Sequence, residues 1–223
     1  MAFGCIQTVP PVGEPCDIFT LNQMMRVNVT NENNLMTLYL TSARQTFENL
    51  SQTQVMQATW KMTLDFWPGW ENIWAYAQQR QYDPNYFIYQ LLYRQYGVIY
   101  IPRPPLISIT SVSYYDGSNV LQVWDTSNYT VDLSRIPGRI YTTGTFPTSS
   151  ITHKPAIEIT FVAGYPNLAA VPALIKQGIY LLAGTWYEQR TSLTTAKLNE
   201  LPFGFLNIVD QYKSFILSDM GMR

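Results

Sequence analysis

At 223 residues the chain is long enough to bury a core of its own, as one large domain or two small ones. A formal net charge of -1 with only 13% charged residues gives no general electrostatic grip on a phosphate backbone, so a nucleic-acid groove binder is disfavoured and only a local patch stays open. Aromatic residues make up 14% of the chain, with 16 tyrosines and 6 tryptophans, a balance nearer to interface surface than to that of a free monomer; a Tyr-rich core and rim is the plain alternative.

The amino-terminal arm carries Pro10, Pro11 and Pro15 and both cysteines, Cys5 and Cys16, whose spacing fits no metal or redox motif. A disulfide between them is left open. The arm has no basic stretch leading into an apolar run, and no apolar run in the chain approaches the ~18 residues of a membrane span. A soluble chain made in a cytoplasm, with no membrane partner, is expected. Thr20 is placed to cap a short helix through Arg26, and Asn31 to open a longer one. Within the longer one Met36, Leu40, Ala43, Phe47 and Leu50 recur every three or four residues, the spacing of one buried face, while Thr37, Thr41, Arg44, Gln45 and Glu48 fall on the wet side.

From Met56 the period drops to two. Met56, Ala58, Trp60, Met62, Leu64 and Phe66 alternate with Gln57, Thr59, Lys61, Thr63 and Asp65, a strand with one wet face. Between Trp67 and Gly97 aromatic residues crowd the chain without either period, so this excursion must be covered on several sides. In "IPRPPLISITSVSYYD" the residues Pro102, Pro104 and Pro105 hold an extended, unpaired lead-in, and a strand begins after them. Further strands are expected at Val120 to Val123, Tyr129 to Val131, Arg139 to Tyr141 and Ile157 to Val162. Asp116-Gly117, Pro137-Gly138 and Gly164 with Pro166 supply the turns between them. Short strands joined in this way predict an antiparallel sheet or small sandwich.

Helical spacing returns at Val171, with Pro172 in the first turn and Ile175, Ile179, Leu182 and Trp186 on one stripe. Lys176, Gln177, Glu188, Gln189 and Arg190 mark its wet side. Gly178 and Gly184 permit close approach to another backbone, the Met36 helix being the expected partner. A last helix is expected from about Gly204, with Phe205, Ile208, Val209, Tyr212 and Phe215 on its apolar side. Helices at both ends of a β-rich middle make the class α+β.

Catalytic chemistry is not legible. The one histidine, His153, sits beside Lys154 in a loop and reads as a solvated residue; Asp116, Asp125 and Asp132 near strand ends read as turn caps. No nucleophile and base, paired carboxylates, metal-ligand spacing, Walker sequence or dinucleotide fingerprint is present, so neither an enzyme nor a cofactor is expected.

Five blocks in order carry a resemblance: "WKMTLDFWP", "IPRPPLISITSVSYYD", "YTVDLSRIPGRI", "IEITFVAGYPNLAAVPALIKQGIYLLAGTWYEQR" and "ELPFGFLNIVDQYK". Over roughly Thr20 to Lys213, without the aromatic excursion, the chain resembles the head-tail connector (adaptor) proteins of tailed bacteriophages and gene transfer agents. The resemblance implies a helical bundle interrupted by an inserted β-domain. Residues 1–54 would be the arm and first helices, 55–169 the β-domain with 67–97 as an aromatic-rich insertion, and 170–223 the last helices and tail. Segments 20–54 and 170–217 would share one core. It also implies a virion neck subunit that forms a ring, typically of twelve copies, beneath the portal protein. Such a ring extends the channel through which genomic DNA passes ungripped and offers a platform to the next neck or tail protein.

Two departures from the family suggest sites. The carboxyl-terminal Phe215, Ile216, Leu217, Met220 and Met222 would suit apolar anchors in a portal groove, a frayed end being the alternative. The excursion sits where relatives pass with a short connection. Its Trp70, Trp74, Tyr82, Tyr86, Tyr89 and Tyr93 would form an added docking surface toward a neighbouring subunit or tail protein. Arg103, held outward by its prolines, would pair across a subunit boundary or stay solvated. A carbohydrate- or receptor-binding virion module with exposed Trp and Tyr is the competing class.

Overall fold

Period-two alternation builds the centre of the molecule. The computed structural model describes residues 3–27, 32–67, 98–150, 152–189 and 201–214. Strands β1 (Phe3–Val9), β2 (Ala58–Leu64), β8 (Ile157–Ala163), β4 (Leu106–Tyr115) and β5 (Leu121–Val123) form one antiparallel sheet in that spatial order. β3 (Val98–Tyr100), β7 (Arg139–Thr142) and β6 (Tyr129–Asp132) form a second. β2 and β8 bury every other residue, and their register sets Trp60 opposite Phe161 and Met62 opposite Ile159. Ile99, Ile140 and Tyr129 of the second sheet join the same apolar cluster. On the opposite, wetter face of the large sheet the Lys61 ammonium meets Glu158 at 2.7 Å.

Four helices gather a second apolar cluster: α1 (Ile18–Met25), α2 (Asn33–Ser51), α3 (Ala173–Glu188) and α4 (Phe203–Tyr212). α2 packs along α3, with Met36, Leu40, Ala43 and Phe47 turned toward Ile175, Ile179 and Leu182. From α4, Phe205, Ile208 and Val209 close the cluster, Phe205 meeting the Phe47 ring edge-on at 6.2 Å. No described helix is long and apolar enough to cross a membrane.

The structure corrects several expectations. The cap of α1 is Asp17, whose carboxylate accepts from the Thr20 N–H at 2.7 Å, so Thr20 is the donor three residues in and not the cap. Arg44 and Glu48, assigned to the wet side of α2, are buried, while Leu50 of the apolar stripe is exposed. Gly178 faces Ile208 of α4, where a Cβ would come within 3.3 Å, and Gly184 faces the Met25 sulfur of α1. Neither glycine lies against the backbone of α2. The proline-rich arm opens with β1, which pairs along β2, and β3 precedes the proline lead-in.

Candidate functional site

The carboxylates near strand ends are occupied as turn caps. Asp116 accepts from the Ser118 and Val120 N–H groups, Asp125 from Ser127, and Asp132 from Ser134, which lowers all three pKa values. His153 stacks on Tyr115 with ring centroids 3.6 Å apart. Among the described residues no group of three His, Cys, Asp or Glu side chains could hold a metal ion. Cys5 and Cys16 are both free thiols, and burial pushes them up to about 11 and about 12, so neither is a ready nucleophile at neutral pH.

A connected polar network lies where the two apolar clusters meet. Glu48 of α2 accepts from Arg44 Nη1 at 2.7 Å, Gln54 Nε2 at 2.8 Å and the Val55 N–H at 3.0 Å. Glu14 of the arm takes the Nε and Nη2 of the same arginine at 2.7 and 3.1 Å, so one guanidinium joins two carboxylates. Gln54 in turn accepts from the Trp60 indole at 3.1 Å, which carries the network from helix to sheet. Arg103 completes it. Its Nη1 donates to the Glu48 carbonyl at 2.8 Å, its guanidinium lies 4.9 Å from the Trp60 ring centroid, and its own backbone is left-handed, with φ 62°.

Arg103 therefore turns inward, because the last turn of α2 leaves carbonyls without helical partners and a cation at a helix C-terminus is favoured. The expectation that the prolines hold it outward is corrected. They hold an unpaired lead-in that bends at 102–105, with Arg103 left-handed, and is not extended as expected; its carbonyls serve the junction, Pro104 accepting from the Gln54 N–H and Pro105 from the Gly164 N–H, both at 2.8 Å. No sequence signal marked Arg44 and Glu48 as buried, since an i, i+4 pair of opposite charge reads as a solvated face.

The other residues singled out from the sequence lie outside the described residues: Trp70, Trp74, Tyr82, Tyr86, Tyr89 and Tyr93 of the excursion, and Phe215, Ile216, Leu217, Met220 and Met222 of the tail. Trp67, at the start of the excursion, is core. It is fully buried, stacked on Phe146 at 4.7 Å and packed on Trp124 at 5.2 Å. The described surface does expose apolar side chains, two groups of which sit on the β-sheets: Val120, Leu121 and Val123 around β5, and Leu133 with Ile136 between β6 and β7. Sequence reasoning took Pro137-Gly138 only as a turn and missed this second group; the signal that could have found it is the pair Leu133 and Ile136 within "LSRIPG".

No protein-family model matches the chain, and no curated protein matches it. Solved structures do. A chain in the neck of an empty gene transfer agent particle, computed with C6 symmetry, superposes with a TM-score of 0.65 at 18% identity, covering 97% of both chains. A chain in the virion of a native gene transfer agent particle gives 0.67 at 16% identity over 96% of both. A third, in the neck of a native particle computed with C12 symmetry, gives 0.62 at 18% identity over 97% of both. The likeness is one of fold, and it runs through nearly the whole length of each chain.

Proposed function

We propose that this chain is a structural neck protein of a virion-like particle, a head-tail adaptor that assembles as a ring under the portal and carries the tail. The observation that carries the reading is the fold match over 97% of both chains to neck proteins of gene transfer agent particles, one of them computed with C12 symmetry. Twelve copies are the expected ring. The near-neutral chain suits a conduit through which DNA passes without being gripped. No catalytic constellation competes with this reading among the described residues, where Asp116 and Asp132 serve as turn caps and Glu14 and Glu48 sit in the buried network. In the same proposal, helical segments 20–54 and 170–217 share one core, 55–169 is the inserted β-domain, and β1 joins that domain from the arm. The tail residues from Phe215 to Met222 reach the portal, and the excursion from Trp70 to Tyr93 docks a neighbour or the next tail component.

Mixing the purified chain with the portal encoded in the same gene cluster, then weighing the products by native mass spectrometry, tests the reading. A defined multimer stacked on one end of the portal ring is expected. A variant lacking Trp70 to Tyr96 keeps Trp67 in the core and β3 in its sheet, so it should fold and assemble poorly. A chain that stays monomeric and ignores the portal would overturn the adaptor role in favour of a glycan- or receptor-binding one.

A further inference from the structure

Two exposed apolar patches stand at opposite ends of β4, and they carry opposite charge. At one end the β6–β7 connection presents Leu133 and Ile136, 53% and 78% exposed, with Arg135 between them. The neighbouring Asp132 carboxylate is held by Arg139 at 2.9 Å and lies 3.8 Å from Arg135. Two guanidiniums thus share one carboxylate, and the tip keeps a surplus positive charge. At the other end Val120, Leu121 and Val123 are 52%, 48% and 73% exposed at β5, an outer strand of the large sheet among the described residues. Asp116 and Asp125 flank them. Their carboxylates take neutral donors from Ser118, Val120, Gln122 and Ser127, and no cation among the described residues pairs with either.

The separation follows from register. Gly138, next to the tip, packs against Leu106, the first residue of β4, whereas Asp116 follows Tyr115, its last. Ten extended residues span roughly 30 Å. The two patches therefore cannot meet within one chain, but they can meet between copies. We infer that each patch is covered by a second copy of this chain, the cationic tip of one docking on the acidic β5 edge of the next. Such a contact is heterologous, joining different surfaces, and it repeats head to tail until the rotation closes a ring. DNA is a poor occupant of the β5 edge, because its two carboxylates repel phosphate. A few side chains on each face fall well short of the roughly 800 Å² per partner of a stable pair, so the contact sets register and partner choice within a larger interface.

The inference rests on the ring reading above, and charge reversal separates the two. In a tip variant Arg135→Glu replaces the cation. In an edge variant Asp116→Asn and Asp125→Asn keep the capping oxygens while Val123→Lys reverses the charge; a third chain carries all four changes. Each is titrated onto the portal and read by native mass spectrometry, with circular dichroism confirming the fold. The tip and edge variants should each raise the concentration needed for assembly at least about tenfold, and the combined chain should recover most of that loss. Single-end variants that assemble like the parent, or a combined chain that recovers nothing, would overturn the inference and leave the ring intact. A parent chain that never multimerises, alone or on the portal, would overturn both.

Discussion

The Asp17 carboxylate fastens two helices at once. It accepts from the Thr20 N–H and Oγ1 at 2.7 and 2.8 Å, opening α1, and from the Tyr180 hydroxyl of α3 at 3.0 Å. The Thr20 amide above all holds its pKa below the ordinary carboxylate range; desolvation, the next largest effect, opposes it, and the Thr20 and Tyr180 hydroxyls lower it further. A lowered native pKa means that the folded chain binds this proton less tightly than the unfolded one. The stabilisation is therefore present above the unfolded value of about 3.9 and is lost as pH falls through the folded value. Asp17→Ala should cost about 1 kcal/mol at neutral pH, and the gap to the parent should narrow in acid. Urea midpoints measured across a pH series check this; a gap of constant size would mean that the charge plays no part. Glu48 has the opposite sign. Burial raises its pKa against the pull of Arg44 and the Val55 amide, so its ionisation weakens the fold as pH rises through the native value.

At the level of elements, Trp67 ends β2's run into the core and fixes where the aromatic excursion departs. Its ring is wedged among Phe146, Trp124 and Tyr114, and beside it the Lys154 ammonium donates to the Asp65 carbonyl at 2.7 Å and sits over the Phe66 ring. Trp67→Ala should destabilise by about 3–5 kcal/mol. Trp67→Phe should cost much less, since it keeps the stack on Phe146 and removes an indole N–H that is buried with no partner among the described residues. Chemical denaturation of both variants decides between a core residue and a surface one. The sequence grouped Trp67 with the excursion because adjacent aromatics look alike, and its true neighbours lie some 50 to 80 positions away. β2, β8 and the helices α2, α3 and α4 were legible for a simple reason: each buries one face, and a buried face writes its period into the chain. β4, whose register shifts twice along β8, was marked instead by β-branched residues between the prolines and Asp116-Gly117. β1 buries none of its described side chains fully, which leaves no alternation to read, and β3 is only three residues long. The inward turns of Arg44 and Glu48 depend on Glu14 and Gln54, partners contributed by loops that carry no period.

For the molecule as a whole, the question is how the helical cluster and the β cluster move together. Backbone bonds cross the junction from Gln54 to Pro104 and from Tyr165 to Val55, and Gly164, at φ 106°, passes so close that a Cβ would lie 2.6 Å from the Met56 carbonyl. Arg103, like Gln54, has a side chain that grips both sides, donating to the end of α2 while its guanidinium covers Trp60 of β2. A charge-assisted hydrogen bond and a partly desolvated cation–π contact together make Arg103→Ala cost about 2 kcal/mol. The sharper expectation concerns cooperativity, because this loss falls between the clusters and leaves each one whole. In the parent chain, urea transitions followed by the far-ultraviolet helix signal and by the near-ultraviolet signal, to which Trp60, Trp67 and Trp124 contribute, should coincide. In Arg103→Ala they should separate, and Arg103→Lys should fall between, since an ammonium keeps charge near the α2 terminus without a planar face for the indole. Coincident curves with an unmoved midpoint would show that the backbone bonds and the Gln54 bridge couple the clusters without Arg103. The proposed role, with a portal held by one part and a tail by another, would require that joint to be stiff, and Arg103 is a residue at which the stiffness can be measured.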